Sequence, residues 1–389
     1  SWNWYEAYQR ITRRPLREAR SEHVFAAAAS HRDILQNYPT QIEVELTTAS
    51  SVTPIYSALH HKKEALRGRG PHMAEDVFAA IVARLADRSI PPPELILNCV
   101  TGDPLEHPGI GPWLGDLESR LPVNGLKRVV IYTYGGGLTA DVSKRLMEFA
   151  NGMSSKKKSS GRLQVIVRLD AVNATVYGKV RTGTAFEQVM ENVEGLLKAR
   201  KAYCWDEETT SSLIEIAVVT TLLEETQDHI DEFMKKWPSL SALQKTMEKQ
   251  EKQTLSTPAG RQRFMDTIRS QRKQYFSRSN PVDYAVIYGP SHFAGQIPVT
   301  AVADYTPLKR TPCRRLTNTI SILCDGQAVL CDRVLAPDSG VVAGHIRDFK
   351  SFQDLWMSPM LKTARDSHHR LVFDGHPICG RCGDWYIPL

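Results

Sequence analysis

The segment Gln41–Leu59, "QIEVELTTASSVTPIYSAL", combines two patterns that decide the fold. Apolar Ile42, Val44 and Leu46 alternate with polar residues, which is typical of a half-buried strand. A loop of small and β-branched residues follows, and Pro54 closes it. Parallel α/β proteins place chemistry in such loops, at the carboxyl ends of their strands. The segment therefore predicts a first strand that leads directly into a functional loop.

The rest of the chain repeats this strand–helix rhythm. Apolar segments typical of strands alternate with amphipathic segments typical of helices, one of which we expect to end at Gly152. This alternation predicts a parallel sheet. The predicted strands after the first lie at 94–102, 128–139 (with a glycine-rich exit), 163–173, 212–222 and 283–299. Six units are too few for a closed eight-stranded barrel. Residues 1–40 predict a helical extension, and the polar residues 239–280 predict an insertion.

Composition narrows the class of protein. Of the 389 residues, 42% are hydrophobic, which is typical of a globular chain. No apolar run approaches the roughly 18 residues of a membrane span, and the first residues lack the apolar core of a signal peptide. We therefore expect a cytoplasmic protein without membrane partners. The net charge of +6 is concentrated at 154–162 and 235–278, interpreted as solvated loops and helix faces. No aromatic-interleaved basic motif predicts nucleic-acid binding.

Seven cysteines are present, and five of them lie after residue 312. In a reducing compartment, clustered cysteines are more often metal ligands than disulfides. Four thiolates from a hairpin and a CxxC turn suit a [4Fe-4S] cluster or Zn²⁺ equally well in geometry. The candidate ligands are Cys313, Cys331, Cys379 and Cys382. The other three, Cys99, Cys204 and Cys324, are predicted to be structural.

The first segment and several later motifs resemble the radical S-adenosylmethionine (SAM) superfamily. In that family, three cysteines spaced CxxxCxxC on this loop hold a [4Fe-4S] cluster, and SAM chelates the fourth iron. Here the three positions are Ala49, Thr53 and Tyr56, none of which binds iron as a thiolate does. The resemblance implies a partial (β/α)₆ barrel over 41–300 that has lost the usual cluster site and does not form the SAM-derived radical.

Two turns are similar to SAM-binding motifs of this family. "TGDPLEHPGI" is similar to the GGEP motif that receives the amino group of SAM, with Gly102, Asp103 and Pro104 in its last three places. "TYGGGLT" is similar to the turn after the third strand, where Gly135 and Gly136 would allow the backbone close to an adenine or ribose.

A third segment, "VRLDAVNATVYGKVRTG", is similar to the family's fourth-strand motif. Alternation places Arg168 and Asp170 on one face, with Arg168 as a carboxylate clamp and Asp170 as a base. Arg181 matches an arginine that contacts the SAM carboxylate, or else is a solvent-exposed helix arginine. His292, in "GPSHFAG" at a strand end, is the second candidate acid or base because we expect it to face the cavity.

The C-terminal cysteine pattern resembles the twitch or SPASM domain of radical SAM enzymes. Cys313, Gly326, Cys331 and the closing "CGRC" follow that domain's order, and "AGHIRDFKSFQDLWMSPMLKTAR" is similar to its intervening segment. The resemblance implies a small domain at 301–389 in which Cys313, Cys331, Cys379 and Cys382 hold one auxiliary [4Fe-4S] cluster rather than zinc. A full SPASM domain has further cysteines after the CxxC, and none follows Cys382.

Two functions from different classes remain open. The first is a SAM-dependent transferase that acts without a radical on a biosynthetic small molecule or peptide, with Asp170 or His292 as the base. The alternative is a non-catalytic partner of an active radical SAM protein that binds substrate or relays electrons. The retained carboxylate and glycine turn favour the transferase, whereas the loss of all three cluster ligands favours the partner.

Overall fold

The computed structural model describes residues 38–385 except 63–65, 67–68, 88, 122–124, 156–161, 207–210, 238–281 (within which 266 and 270 are described), 299–309, 338–339 and 377. Most of the predicted N-terminal extension, up to residue 37, therefore lies outside the described residues. The predicted insertion at 239–280 also lies outside them, apart from residues 266 and 270.

The strands of the described chain are β1 (Gln41–Val44), β2 (Val52–Pro54), β3 (Glu94–Leu97), β4 (Arg128–Thr133), β5 (Arg162–Arg168), β6 (Arg181–Gly183), β7 (Trp205–Asp206), β8 (Ser211–Ser212), β9 (Ile214–Thr221), β10 (Tyr284–Tyr288), β11 (Thr319–Ile322), β12 (Gln327–Val329) and β13 (Val342–His345). Nine of these described strands form one sheet in the order β10-β9-β5-β4-β3-β1-β11-β12-β13. Pairing is parallel from β10 to β11 and antiparallel beyond β11. The six predicted strands are all present, so the predicted mainly parallel α/β class is confirmed.

The helices of the described residues are α1 (Ala58–His61), α2 (Glu75–Ala86), α3 (Ile110–Arg120), α4 (Ala140–Ser155), α5 (Ala174–Val180), α6 (Phe186–Tyr203), α7 (Ile230–Lys236), α8 (Arg314–Asn318), α9 (Phe352–Trp356) and α10 (Pro359–His369). Helix α4 continues through Gly152, so the end predicted there is wrong. None of the helices in the described ranges has the length and apolarity that crossing a membrane requires.

The two faces of the sheet have different surroundings. On β4, Val129 and Ile131 belong to the large core that also contains residues of α2, α3, α4 and α6. The alternate residues Val130 and Tyr132 belong to a second cluster with residues of β3, β5, β9 and β10. Side chains alternate across a strand, so the first face is covered by helices and the second faces inward.

The inward face curves around a cavity. Glu43 of β1 and Tyr288 of β10 both line it, although these strands stand five positions apart in the sheet. A flat sheet would separate them by about 24 Å. The sheet therefore bends around the cavity as a partial barrel, whose interior we call the lumen.

The sheet also crosses the boundary predicted at residue 300. Strand β11 pairs in parallel with β1, with Gln41 opposite Thr319 and Val44 opposite Ile322. Its antiparallel partner β12 follows after the turn at Gly326. Because β11 lies beside the first strand, the C-terminal cysteine region is held against the lumen.

Candidate functional site

The loop after β1 is bonded to the rest of the protein at each of the three positions where the family has cysteine. The carbonyl of Ala49 accepts a hydrogen bond from the Asp103 amide at 2.9 Å. Thr53 pairs with Thr182 in the small antiparallel sheet of β2 and β6. The Tyr56 hydroxyl donates to Asp170 Oδ2 at 2.5 Å and is buried. We call residues 47–56, held in this way, the locked loop.

Ser51, in the middle of the locked loop, closes it over the glycine turn. Its amide and hydroxyl donate to the two carboxylate oxygens of Glu106 at 2.6 and 2.7 Å. A Cβ on Gly136 would lie 2.3 Å from Ser51 Oγ, and one on Gly183 would lie 1.9 Å from the Ser51 carbonyl oxygen. Gly135 has a φ of 91°, in the left-handed region that favours glycine. The turn predicted to approach a nucleotide therefore contacts the chain's own loop.

The site predicted to receive the amino group of SAM is also bonded to other groups of the protein. Asp103 is fully buried, and its carboxylate accepts from the Thr133 hydroxyl at 2.7 Å, the Tyr134 amide at 2.8 Å and the Leu105 amide at 3.0 Å. The Leu105 bond caps the short 3₁₀ turn Pro104–Glu106. A Cβ on Gly102 would lie 2.5 Å from the Thr47 carbonyl oxygen.

Asp170 and Arg181 form a buried ion pair beneath the locked loop. Arg181 Nη2 lies 2.6 Å from Asp170 Oδ2, and both side chains are completely shielded from solvent. The alternative of an exposed helix arginine is therefore wrong. Burial alone would raise the pKa of Asp170, but Arg181 and the Tyr56 hydroxyl hold it below its usual value. The Thr221 amide donates to the other carboxylate oxygen at 2.8 Å.

Arg168 and Asp170 both contact Tyr56, the first with its guanidinium over the ring and the second through the hydroxyl. Leu169 between them belongs to the helix-covered core, in line with the predicted alternation, and Asp170 has a φ of 65°. Arg168 lines the lumen cavity, whereas Asp170 turns to Arg181 and Tyr56. His292 is not among the residues lining this cavity, although Ser291 and Phe293 on either side of it are. A catalytic role for Asp170 or His292 stays a prediction.

The lumen cavity has a volume of ≈ 80 Å³. Its wall combines aromatic rings with charged groups from the barrel and from the C-terminal region. Four tyrosines, Tyr56, Tyr132, Tyr134 and Tyr288, line it. The charged lining residues are Glu43, Arg168, Arg315, Asp332 and Arg333.

Glu43 is the buried acid on the inward face of β1. Its oxygens accept hydrogen bonds from the Asn98 amide at 3.0 Å and the Ser321 hydroxyl at 3.3 Å. Burial and the nearby Asp332 carboxylate raise the pKa of Glu43 from 4.5 to about 8. The side chain is therefore mostly protonated near neutral pH, unlike an ordinary glutamate.

This raised pKa predicts a specific pH dependence of stability. The folded state holds the Glu43 proton between 4.5 and about 8, while the unfolded chain loses it, so this contribution to the free energy of unfolding falls across that window. We expect Glu43→Gln, which cannot titrate, to gain stability relative to the wild type from about pH 5 to about pH 8 in urea denaturation. The exposed-site control Glu224→Gln should parallel the wild type. A Glu43→Gln curve that also runs parallel would contradict the assignment.

The four predicted metal cysteines lie together. Cys313 precedes α8, Cys331 follows β12, and the Cys379 and Cys382 backbones are hydrogen-bonded in one turn. All four line a small cavity of ≈ 20 Å³. In the described part of the chain, no three cysteine, histidine or acidic residues are arranged to hold one metal ion.

The surroundings of these thiols fit an anionic iron–sulfur cluster. Arg310, Arg315 and Arg333 line the same cavity and offset negative charge. Burial and the neighbouring thiols raise the pKa of Cys379 to about 12, and burial with the Cys313 thiol raises the pKa of Cys382 to about 11. Binding of a cluster would therefore release protons from these thiols.

Arg315 and Asp332 are functional candidates that the sequence analysis missed. Arg315 Nη1 donates to Asp332 at 2.8 Å, and Arg333 donates to the same carboxylate oxygen at 2.6 Å. Arg315 and Arg333 line both the lumen and the cysteine cavity, so one wall separates the two. Their positions beside Cys313 and Cys331 were the available signal.

Known proteins are similar to this chain in sequence. Residues 313–383 match the SPASM family, an iron-sulfur cluster-binding domain. An uncharacterized protein of Treponema pallidum (strain Nichols) is 24% identical over 356 residues, which are 90% of this chain and 80% of the relative.

Solved structures show the same fold. Native anSMEcpe with bound AdoMet has a TM-score of 0.50 at 13% identity and covers 90% of this chain and 88% of its own. The histidine-tagged form of that protein with bound AdoMet has a TM-score of 0.51 at 14% identity, covering 85% and 81%. The complex with AdoMet and Kp18Cys peptide has a TM-score of 0.51 at 12% identity, covering 85% and 83%. The chain therefore shares the fold of these AdoMet-bound structures, and its residues 313–383 match the SPASM domain, in line with the predicted resemblance.

Proposed function

We propose that this protein is a ligand-binding, electron-relaying partner of an active radical SAM enzyme. The observation that carries this proposal is the locked loop. Ala49, Thr53 and Tyr56 each bond to other parts of the chain where the family places cluster ligands. The hydrogen bonds of Ser51 to Glu106 further close the loop over the glycine turn. These bonds support the proposal that the loop has a structural role here in place of SAM activation.

The SPASM region supports the electron-relaying part of the proposal. Cys313, Cys331, Cys379 and Cys382 would hold one [4Fe-4S] cluster, which supplies one-electron transfer when bound. Arg315 and Arg333 lie in the wall shared with the lumen and compensate the charge of the thiolates. A ligand in the lumen would therefore be close to the cluster.

Peptides are supported as one ligand class. The anSMEcpe structure with the Kp18Cys peptide has the same fold as this chain. By this proposal the protein also binds a peptide. The lumen is the site that receives one side chain of that peptide.

SAM-dependent group transfer is the second candidate. The AdoMet bound to anSMEcpe, on the same fold, is the observation that favours it. In this chain Asp103 and Arg181 are engaged by protein partners, so SAM would have to displace those bonds. The ion pair keeps Asp170 ionised, but both of its oxygens already accept hydrogen bonds.

Calorimetry with the cluster-loaded protein separates the two candidates. The partner proposal predicts no binding of SAM or S-adenosylhomocysteine at about millimolar concentration, and no 5′-deoxyadenosine on addition of reductant. Affinity purification from the native host should recover a radical SAM protein that retains its three cysteines. Saturable SAM binding that weakens in Asp103→Ala, by about ten- to a hundred-fold, would instead establish the transferase candidate.

A further inference from the structure

The charged groups around the lumen leave one cation without a carboxylate partner. Arg168 lines the cavity, and among the described residues no carboxylate lies within ion-pair distance of its guanidinium. The acid nearest to it in the sequence, Asp170, is already committed to Arg181 at 2.6 Å. Arg168 Nε is buried and donates no hydrogen bond to the described residues. A buried guanidinium in this state is costly unless something else binds it.

The other two lumen arginines differ from Arg168 because each has a carboxylate. Arg315 and Arg333 share Asp332, and Arg333 also lies 3.3 Å from Asp384. The remaining acid of the wall, Glu43, is mostly protonated near neutral pH because burial raises its pKa. The net charge facing the lumen is therefore positive, and Arg168 carries the excess.

The wall around Arg168 is aromatic. Its guanidinium carbon lies 5.2 Å from the centre of the Tyr56 ring, and Tyr134 lines the same cavity. Elsewhere in the same lining, Arg333 lies 4.9 Å from the centre of the Phe293 ring. Rings of this kind provide apolar surface for a flat or apolar ligand body, while the guanidinium provides paired donors for an anionic head.

We propose that the lumen binds a small organic anion whose carboxylate or phosphate group pairs with Arg168 and whose apolar body packs against the tyrosine rings. This inference rests on the proposed ligand-binding function and names the chemistry of its ligand. The anion supplies the charge that Arg168 lacks. The position of Arg168 next to the locked loop means that Tyr56, which replaces the family's third cysteine, forms part of the binding wall.

Three single-ring probes test the proposal by calorimetry and by ligand-observed NMR on the wild-type protein. Benzoate carries a carboxylate, phenyl phosphate carries a phosphate, and benzamide has nearly the shape of benzoate without its charge. We expect at least one anion to bind at least tenfold more tightly than benzamide. The stronger of the two anions identifies the head group. Equal binding of benzamide, or no binding of either anion at millimolar concentration, overturns the proposal.

Variants then locate the site. Arg168→Gln should weaken anion binding by about ten- to a hundred-fold, and Arg168→Lys should recover part of it as a point charge. Arg145→Gln, on α4 and outside the lumen lining, is the matched control and should bind as the wild type does. Unchanged binding in a folded Arg168→Gln, checked by circular dichroism, rejects the assignment. If Arg168→Gln does not fold, the comparison of benzoate with benzamide on the wild-type protein still decides whether the protein prefers an anion.

This test is separable from that of the proposed function. Anion binding without recovery of a radical SAM partner would retire the partner role and leave the anion site standing. Recovery of a partner without anion binding would retire the anion site alone.

Discussion

Replacing Cys313 and Cys382 together with serine is expected to abolish the iron–sulfur cluster. The reconstituted wild-type protein should hold about four irons per chain with the absorbance of a [4Fe-4S] centre, and the double variant should hold close to none. The physical reason is that all four thiols line one cavity and each would bind a different iron. Anaerobic reconstitution followed by iron and sulfide analysis measures this directly.

Two other buried cysteines provide the control for this experiment. Cys324 contacts the carbonyl of Gly70, and Cys204 contacts Met147, both outside the cysteine cavity. Cys324→Ser and Cys204→Ser should keep the full iron content, whatever they cost in stability. Stoichiometric zinc without iron in anaerobically purified wild-type protein would contradict the cluster and support the zinc site that geometry alone leaves open.

The succession of strands along the chain was predictable because the hydrophobic pattern repeats. Ile42 and Val44 pack on the helix-covered face as their alternation indicates. The same alternation suggested that the polar face of β1 is solvated, but Glu43 and Glu45 are each only 2% exposed. A curved sheet encloses its inner face, so polar residues on that face are buried. The strand pattern alone does not show whether a polar face lines such a lumen or faces bulk solvent.

Helix ends were less predictable than strands. Gly152 predicts the end of a helix, yet α4 continues to Ser155. A Cβ at Gly152 would lie 2.0 Å from Glu118 Oε1, so close packing between α3 and α4 explains this glycine, not chain termination. Tertiary contact of this kind is invisible to local propensity.

The sequence predicted which residues belong to the candidate site, but not which of them contact one another. The four predicted metal cysteines line one cavity, although no three of the described residues are arranged to hold a metal ion, so their role as ligands stays a prediction. The residues predicted to bind SAM are present, but Asp103 caps a 3₁₀ turn, and Asp170 is paired with Arg181 and Tyr56. Such pairings join residues more than a hundred positions apart, as Tyr56 and Asp170 do, and no local pattern specifies them.

Removing the charge of Asp170 is expected to destabilise the barrel strongly. Asp170→Asn keeps the size of the side chain and tolerates the left-handed backbone, but leaves the Arg181 guanidinium buried without a counter-charge. Breaking a buried pair in this way costs about 3–5 kcal/mol. Urea denaturation followed by circular dichroism should show this as a lower midpoint with an unchanged slope.

The surface pair of Asp116 and Arg120 provides the matched control for this loss of charge. These residues form an ion pair at 3.2 Å with partly exposed side chains, so Asp116→Asn should cost about 1 kcal/mol or less. The double variant Asp170→Asn/Arg181→Met should be more stable than Asp170→Asn alone, because it removes the Arg181 charge that Asp170→Asn leaves without a partner. Equal losses for Asp170→Asn and Asp116→Asn would show that the ion pair beneath the locked loop does not hold the structure. That outcome would also argue against Asp170 as the main anchor of the locked loop, since Tyr56 is bonded to the same carboxylate.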